Sequence, residues 1–136
     1  MDRYISESIR LKVAKRAHFR CEYCLIFERY AFLPFHTEHI ISLKHGGNSD
    51  EDNLAFSCPV CNYSKGSNVG TYDETMSILI RLFHPRKDNW NEHFELQKTG
   101  LIVSKSAIGK ATIKILDLNH VESVEERKTM IDKDLI

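Results

Sequence analysis

An α+β fold with a zinc-stapled first half and a mainly helical C-terminal extension is predicted by three observations on this 136-residue chain. Two C-x-x-C pairs, Cys21-Glu22-Tyr23-Cys24 and Cys58-Pro59-Val60-Cys61, hold all four cysteines. The segment between them carries the β-branched and aromatic residues of short strands. Beyond Gly70, apolar residues recur at helical spacing.

The elements follow in order. From Ser6 to His18, Ile9, Val13 and Ala17 fall on one helical face, with Ser6 as N-cap and basic residues filling the rest. Phe35, Thr37, Ile40 and Ile41 predict a strand within Leu33 to Ile41, closed by a Gly46-Gly47-Asn48 loop. A second strand is expected at Asn53 to Ser57, then a short helix from the second cysteine pair to Gly66. Met76, Leu79, Ile80 and Phe83, between an Asp73 cap and Pro85, predict an amphipathic helix. A hairpin turning near Thr99-Gly100 is expected over Phe94 to Val103, followed by a helix through Ile108, Ala111, Thr112, Ile115 and Leu116. The charged stretch Val121 to Asp134 is weakly periodic. With no repeat and no linker, the expected organisation is a core over residues 1–70 and an α/β extension over 71–136, packed on the core or mediating a homodimer.

A content of 42% hydrophobic and 28% charged residues, with 6 Gly and 3 Pro, is that of a soluble globular protein and excludes collagenous and disordered classes. No apolar run approaches the ~18 residues of a membrane span. The charged start, Met1-Asp2-Arg3, lacks a secretory apolar region, which predicts a chain kept in the reducing cytoplasm. Nineteen basic residues balance nineteen acidic ones, so a nucleic-acid partner must meet a local patch. Arg10 to Arg20, with Lys44 and Lys65, is the candidate.

In a reducing compartment four cysteines point to metal or redox chemistry rather than disulfides. Two matched pairs, each a tight turn aiming two thiolates at one point, make a tetrahedral Zn²⁺ site of Cys21, Cys24, Cys58 and Cys61. Such a site supplies folding free energy that a small core lacks. A redox pair and four unliganded core cysteines are the alternatives.

Between and after the pairs the chain reads Glu38-His39-Ile40, Lys44-His45-Gly46-Gly47-Asn48, Asn53-Leu54, and Asn62-Tyr63-Ser64-Lys65-Gly66. Phosphodiester hydrolysis needs a base for water and positive charge at the leaving oxygen; a neutral histidine and a divalent cation supply both. His39 is the candidate base. Glu38 and Asn62 offer the hard oxygen donors that Mg²⁺ or Mn²⁺ prefers. Neighbours on a regular strand point to opposite faces, so a strand end, bulge or loop entry is expected at Glu38-His39. Lys65, near a helix end, is a candidate phosphate contact, as are Arg16, Lys44 and His45.

At these residues the chain resembles the HNH endonucleases, the zinc-knuckle branch of the ββα-metal nucleases, over about residues 10 to 70. The resemblance implies a treble-clef-like core, nuclease activity on nucleic acid, DNA above all, and a single catalytic cation. It further implies His39 as general base, Glu38 and Asn62 as metal ligands and Asn53 as the brace of the loop. The longer Glu38 stands where many relatives carry Asp. A catalytically silent zinc module that binds nucleic acid or protein is the alternative, and a redox protein a third.

Overall fold

The computed structural model describes residues 4–136, so the charged start Met1–Arg3 lies outside the described residues. Helix α1 (Glu7–Arg16) begins at Ser6, whose hydroxyl accepts the Ile9 N–H at 3.2 Å. Such a cap contributes about 1 kcal/mol. Val13 and Ala14 on its inner face pack with Leu54 and Phe56. The chain leaves α1 through two consecutive left-handed residues, His18 (φ 56°) and Phe19 (φ 55°), into the first cysteine turn.

Strand β1 (His36–His39) pairs antiparallel with β2 (Leu54–Ser57) in unbroken register, His36 opposite Ser57 and His39 opposite Leu54. Helix α2 (Pro59–Lys65) starts at Cys58, whose sulfur accepts the Cys61 N–H at 3.4 Å, with Pro59 in the first turn where a missing N–H does no harm. These three elements frame the site.

Residues Asp73 to Phe83 do not form the expected helix. Instead β3 (Gly70–Tyr72) and β4 (Leu79–Arg81) make a small antiparallel hairpin. The physical reason is Asp73: its carboxylate accepts from the Thr75 hydroxyl and the Ser77 and Ile78 N–H groups, which closes a turn, and Met76 takes φ 60°. A short helix α3 (Trp90–His93) leads into a second hairpin, β5 (Phe94–Leu96) and β6 (Ile102–Ser104). Its turn needs Gly100, at φ 89°, where a Cβ would stand 2.2 Å from the Val124 carbonyl oxygen.

Helices α4 (Ala107–Leu116) and α5 (Val121–Asp132) complete the chain, and α4 packs on α2 and on both hairpins of this half. Thr112 ties α4 to the chain before it, accepting the Phe83 N–H at 2.8 Å. Arg127, fully buried on α5, donates to the carbonyls of Gly100 and Leu118 at 2.7 Å each. One apolar cluster runs from Tyr23, Ile40 and Ala55 to Phe94, Leu116 and Met130. The molecule is thus a mixture of helices and small two-stranded sheets with the cysteines in its core. Among the described residues no helix is long and apolar enough to cross a membrane.

Candidate functional site

Each C-x-x-C pair closes a turn on its own sulfur, and the two turns are held together by the Glu22 N–H on the Phe56 carbonyl at 2.9 Å and the Phe56 N–H on the Glu22 carboxylate at 2.8 Å. Cys24 N–H points at Cys21 Sγ at 3.5 Å, and Cys61 N–H at Cys58 Sγ at 3.4 Å. All four sulfurs lie within 4.8 Å of one another and are buried. A zinc ion with ~2.3 Å bonds to four tetrahedral sulfurs needs them about 3.8 Å apart. The cysteines are therefore arranged to bind a metal ion, and an all-thiolate set is the donor chemistry of zinc. Burial works against ionising Cys21, yet hydrogen bonds from Cys24, Cys58 and Cys61 outweigh it and hold that thiol well below its ordinary range.

Beside this centre, Thr37, Glu38, His39, Ser42, Lys44 and Asn62 line a cleft of about 390 Å³. The strand carrying Glu38 and His39 is regular, with no bulge; His39 is its last residue. The His39 imidazole meets Ser49 through Nε2, 2.9 Å from the serine Oγ. Asn53, nearly buried, accepts the Ile41 N–H at 2.9 Å and donates to the carbonyls of Ile41 and Asn48 at 2.8 and 2.7 Å. It thereby clamps the loop that delivers Ser49. Gly47 is required there, because a Cβ would stand 1.8 Å from the Ile41 carbonyl oxygen.

Glu38 faces inward. One carboxylate oxygen accepts the Tyr23 hydroxyl, and the other lies 3.3 Å from the Lys65 ammonium, which also donates to the His39 carbonyl at 3.1 Å. Burial lifts the Glu38 carboxyl above its ordinary value, against the lowering pull of Lys65 and Tyr23. Burial, with Glu38 next, raises Tyr23 well above the usual phenol range.

The expectation that Lys65 meets a phosphate is corrected here: its side chain is 2% exposed and its charge is committed to Glu38. A surface lysine and a buried one look alike in sequence, and the partner lies 27 positions upstream. Lys44 is exposed and lines the cleft; His45, exposed on the same turn, does not. Arg16 stands apart from the cleft, donating to the carbonyls of Glu51 and Leu54 at 3.1 and 2.7 Å. Sequence reasoning missed Ser49, the Tyr23 hydroxyl and Ser42, whose Oγ is buried without a hydrogen-bond partner among the described residues. No local pattern marks them.

Glu38, Asn62 and the orphan Ser42 hydroxyl line one cleft and carry the hard oxygens that Mg²⁺ or Mn²⁺ prefers, but both Glu38 oxygens already have partners. Lys65 is the competing cation.

Residues 21–68 match the family model for HNH endonuclease. It is similar to Septu protein PtuA of Bacillus mycoides (strain KBAB4), at 29% identity over 103 residues, covering 68% of this chain. The match spans 14% of that relative's own length. No solved structure matches.

Proposed function

We propose that this chain is a metal-dependent HNH endonuclease that hydrolyses phosphodiester bonds in DNA. The core, residues 1–70, is a treble-clef-like ββα-metal unit stapled by structural Zn²⁺, and residues 71–136 are an extension that packs on it. Four reduced cysteines suit a zinc protein of the cytoplasm. The observation that carries the reading is the cleft where His39, Asn62 and Glu38 meet, inside the family-matched segment.

In this reading His39 takes a proton from the attacking water. The contact of Nε2 with Ser49 Oγ, at 2.9 Å, fixes the orientation of the ring. The water oxygen bonds to phosphorus as the bond to the leaving 3′-oxygen breaks, and solvent returns a proton to that oxygen. Asn53 holds the loop, and so the Ser49 contact, in register. A bound Mg²⁺ or Mn²⁺ supplies positive charge for the phosphate and the leaving oxygen. Asn62 and Glu38 would hold it, Glu38 in exchange for its present contact with Lys65. Cutting both strands of a duplex calls for two such sites, which a homodimer would provide.

One observation favours a catalytically silent zinc module instead: both Glu38 oxygens already have partners. The two readings separate on supercoiled plasmid, incubated with zinc-loaded protein with and without Mg²⁺ or Mn²⁺, beside a His39→Ala variant shown to keep its zinc and fold. The nuclease reading expects cleavage that needs the added cation and vanishes in the variant. Intact plasmid, single-stranded DNA and RNA after incubation with folded wild-type protein would establish the silent module.

A further inference from the structure

Away from the His39 cleft, the end of α1 and the chain before α3 enclose a second groove of about 280 Å³, lined by Arg16, His18, Arg20, Asn89 and Trp90 among others. It shares no lining residue with the cleft. Its electrostatics are one-sided. The two carboxylates in its wall are both neutralised: Glu22 is paired with Arg86, and Asp88 takes the Arg81 guanidinium through two bonds of 2.7 and 2.9 Å. Arg16 and Arg20, in contrast, have no carboxylate partner among the described residues. Two guanidinium charges are left in excess, with His18 beside them.

The charges are also held in place. Arg16 is anchored by the Glu51 and Leu54 carbonyls, which fix its direction without cancelling its charge. Arg20 lies over the Phe27 ring, 5.9 Å from its centroid. The turn that brings Arg20 back into the wall passes through His18 and Phe19 at positive φ, a conformation that costs a non-glycine residue about 1–2 kcal/mol and is therefore specified by its surroundings. Asn89 adds an exposed amide at the groove's other lip, its Oδ1 capping α3 through the Asn91 N–H.

From this geometry we infer that the groove binds a backbone phosphate of the nucleic-acid substrate, one other than the phosphate being cleaved. The inference rests on the nuclease reading only for its ligand class. It makes the extension part of the substrate surface, since Asn89 and Trp90 lie beyond residue 70. Planar guanidinium groups suit phosphate oxygens, and a phosphate there would meet no unpaired carboxylate.

The test is fluorescence anisotropy of zinc-loaded full chain on a labelled DNA duplex, without Mg²⁺ or Mn²⁺, over a series of salt concentrations. Arg20→Gln removes one charge, and Asn89→Asp adds an opposing one while keeping an N-cap oxygen. Lys114→Gln, on the exposed face of α4, is the control. Arg20→Gln is expected to lower the slope of log K against log salt by about 0.9 and weaken low-salt binding several-fold. Asn89→Asp should weaken binding in the same direction, and the control should leave both quantities unchanged. Coincidence of all three variants with wild type, or no binding of duplex by wild type, overturns the groove. His39-dependent plasmid cleavage that persists with coincident slopes removes the groove and leaves the nuclease; separated slopes without cleavage do the reverse.

Discussion

The Lys65 ammonium stands 3.3 Å from the Glu38 carboxylate with both side chains sealed from water. Two charges in such a place are held by each other, and removing one strands its partner. Lys65→Met is expected to lower stability by about 3–5 kcal/mol, and Glu38→Gln in the same chain to recover most of that. The sign with pH is also fixed. Without Lys65 the Glu38 pKa lies further above its unfolded value, so the variant is most stable at low pH and loses stability as pH rises through that folded value. Urea denaturation of the three proteins across pH measures both effects.

Asn53 satisfies three backbone groups of the Ile41–Asn48 loop at once. Asn53→Ala leaves them unpaired and is expected to lower stability by about 3 kcal/mol. Gly47→Ala pushes a methyl into the Ile41 carbonyl and displaces the same loop. On the nuclease reading proposed above, both should reduce cleavage more than duplex binding, because the loop carries Ser49 to His39 rather than a charge to the substrate. Parallel cleavage and anisotropy measurements separate the two.

Metal content offers a third check. The four clustered sulfurs predict one equivalent of zinc per chain, released by thiol-blocking reagent in step with loss of structure. Cys58→Ser should lower zinc content and collapse the amide spectrum of residues 21–68. A full amide spectrum in a zinc-free variant would make the four cysteines ordinary core residues.

Acid should reveal the Arg81–Asp88 pair. The Arg81 guanidinium holds the Asp88 carboxyl down at about 2. A depressed carboxyl stabilises the folded chain above its unfolded pKa of ~3.9, and that contribution disappears as pH falls through about 2. Arg81 is itself half exposed, so screening limits the effect to about 1 kcal/mol. Asp88→Asn should flatten the stability curve between about pH 4 and pH 2.

Much of this molecule is legible in its sequence where a local pattern has one physical solution. Ser6 followed by a spaced apolar face folds as the capped helix it predicts, and Thr99-Gly100 between two apolar runs as the hairpin. Asp73 shows where local pattern divides: an aspartate before helically spaced residues caps either a helix or a turn. Here the bonds of Thr75, Ser77 and Ile78 to its carboxylate make the turn, and the chain beyond it is tied down by Thr112, 29 positions from the Phe83 whose N–H it accepts. The site divides in the same manner. Each C-x-x-C pair announces its own turn, whereas Lys65 and Tyr23 take their roles from Glu38, which only folding brings near.

Tyr23 lies between two of the four cysteines, gives its hydroxyl to Glu38 and accepts the Trp90 indole N–H at its carbonyl at 2.9 Å. The family-matched segment is therefore no transplantable cassette. Residues 21–68 moved alone into a new host would keep the cysteines and His39 but lose the indole bonded to the Tyr23 carbonyl. Any chimera that exchanges this segment must carry Trp90 along or supply another donor in its place.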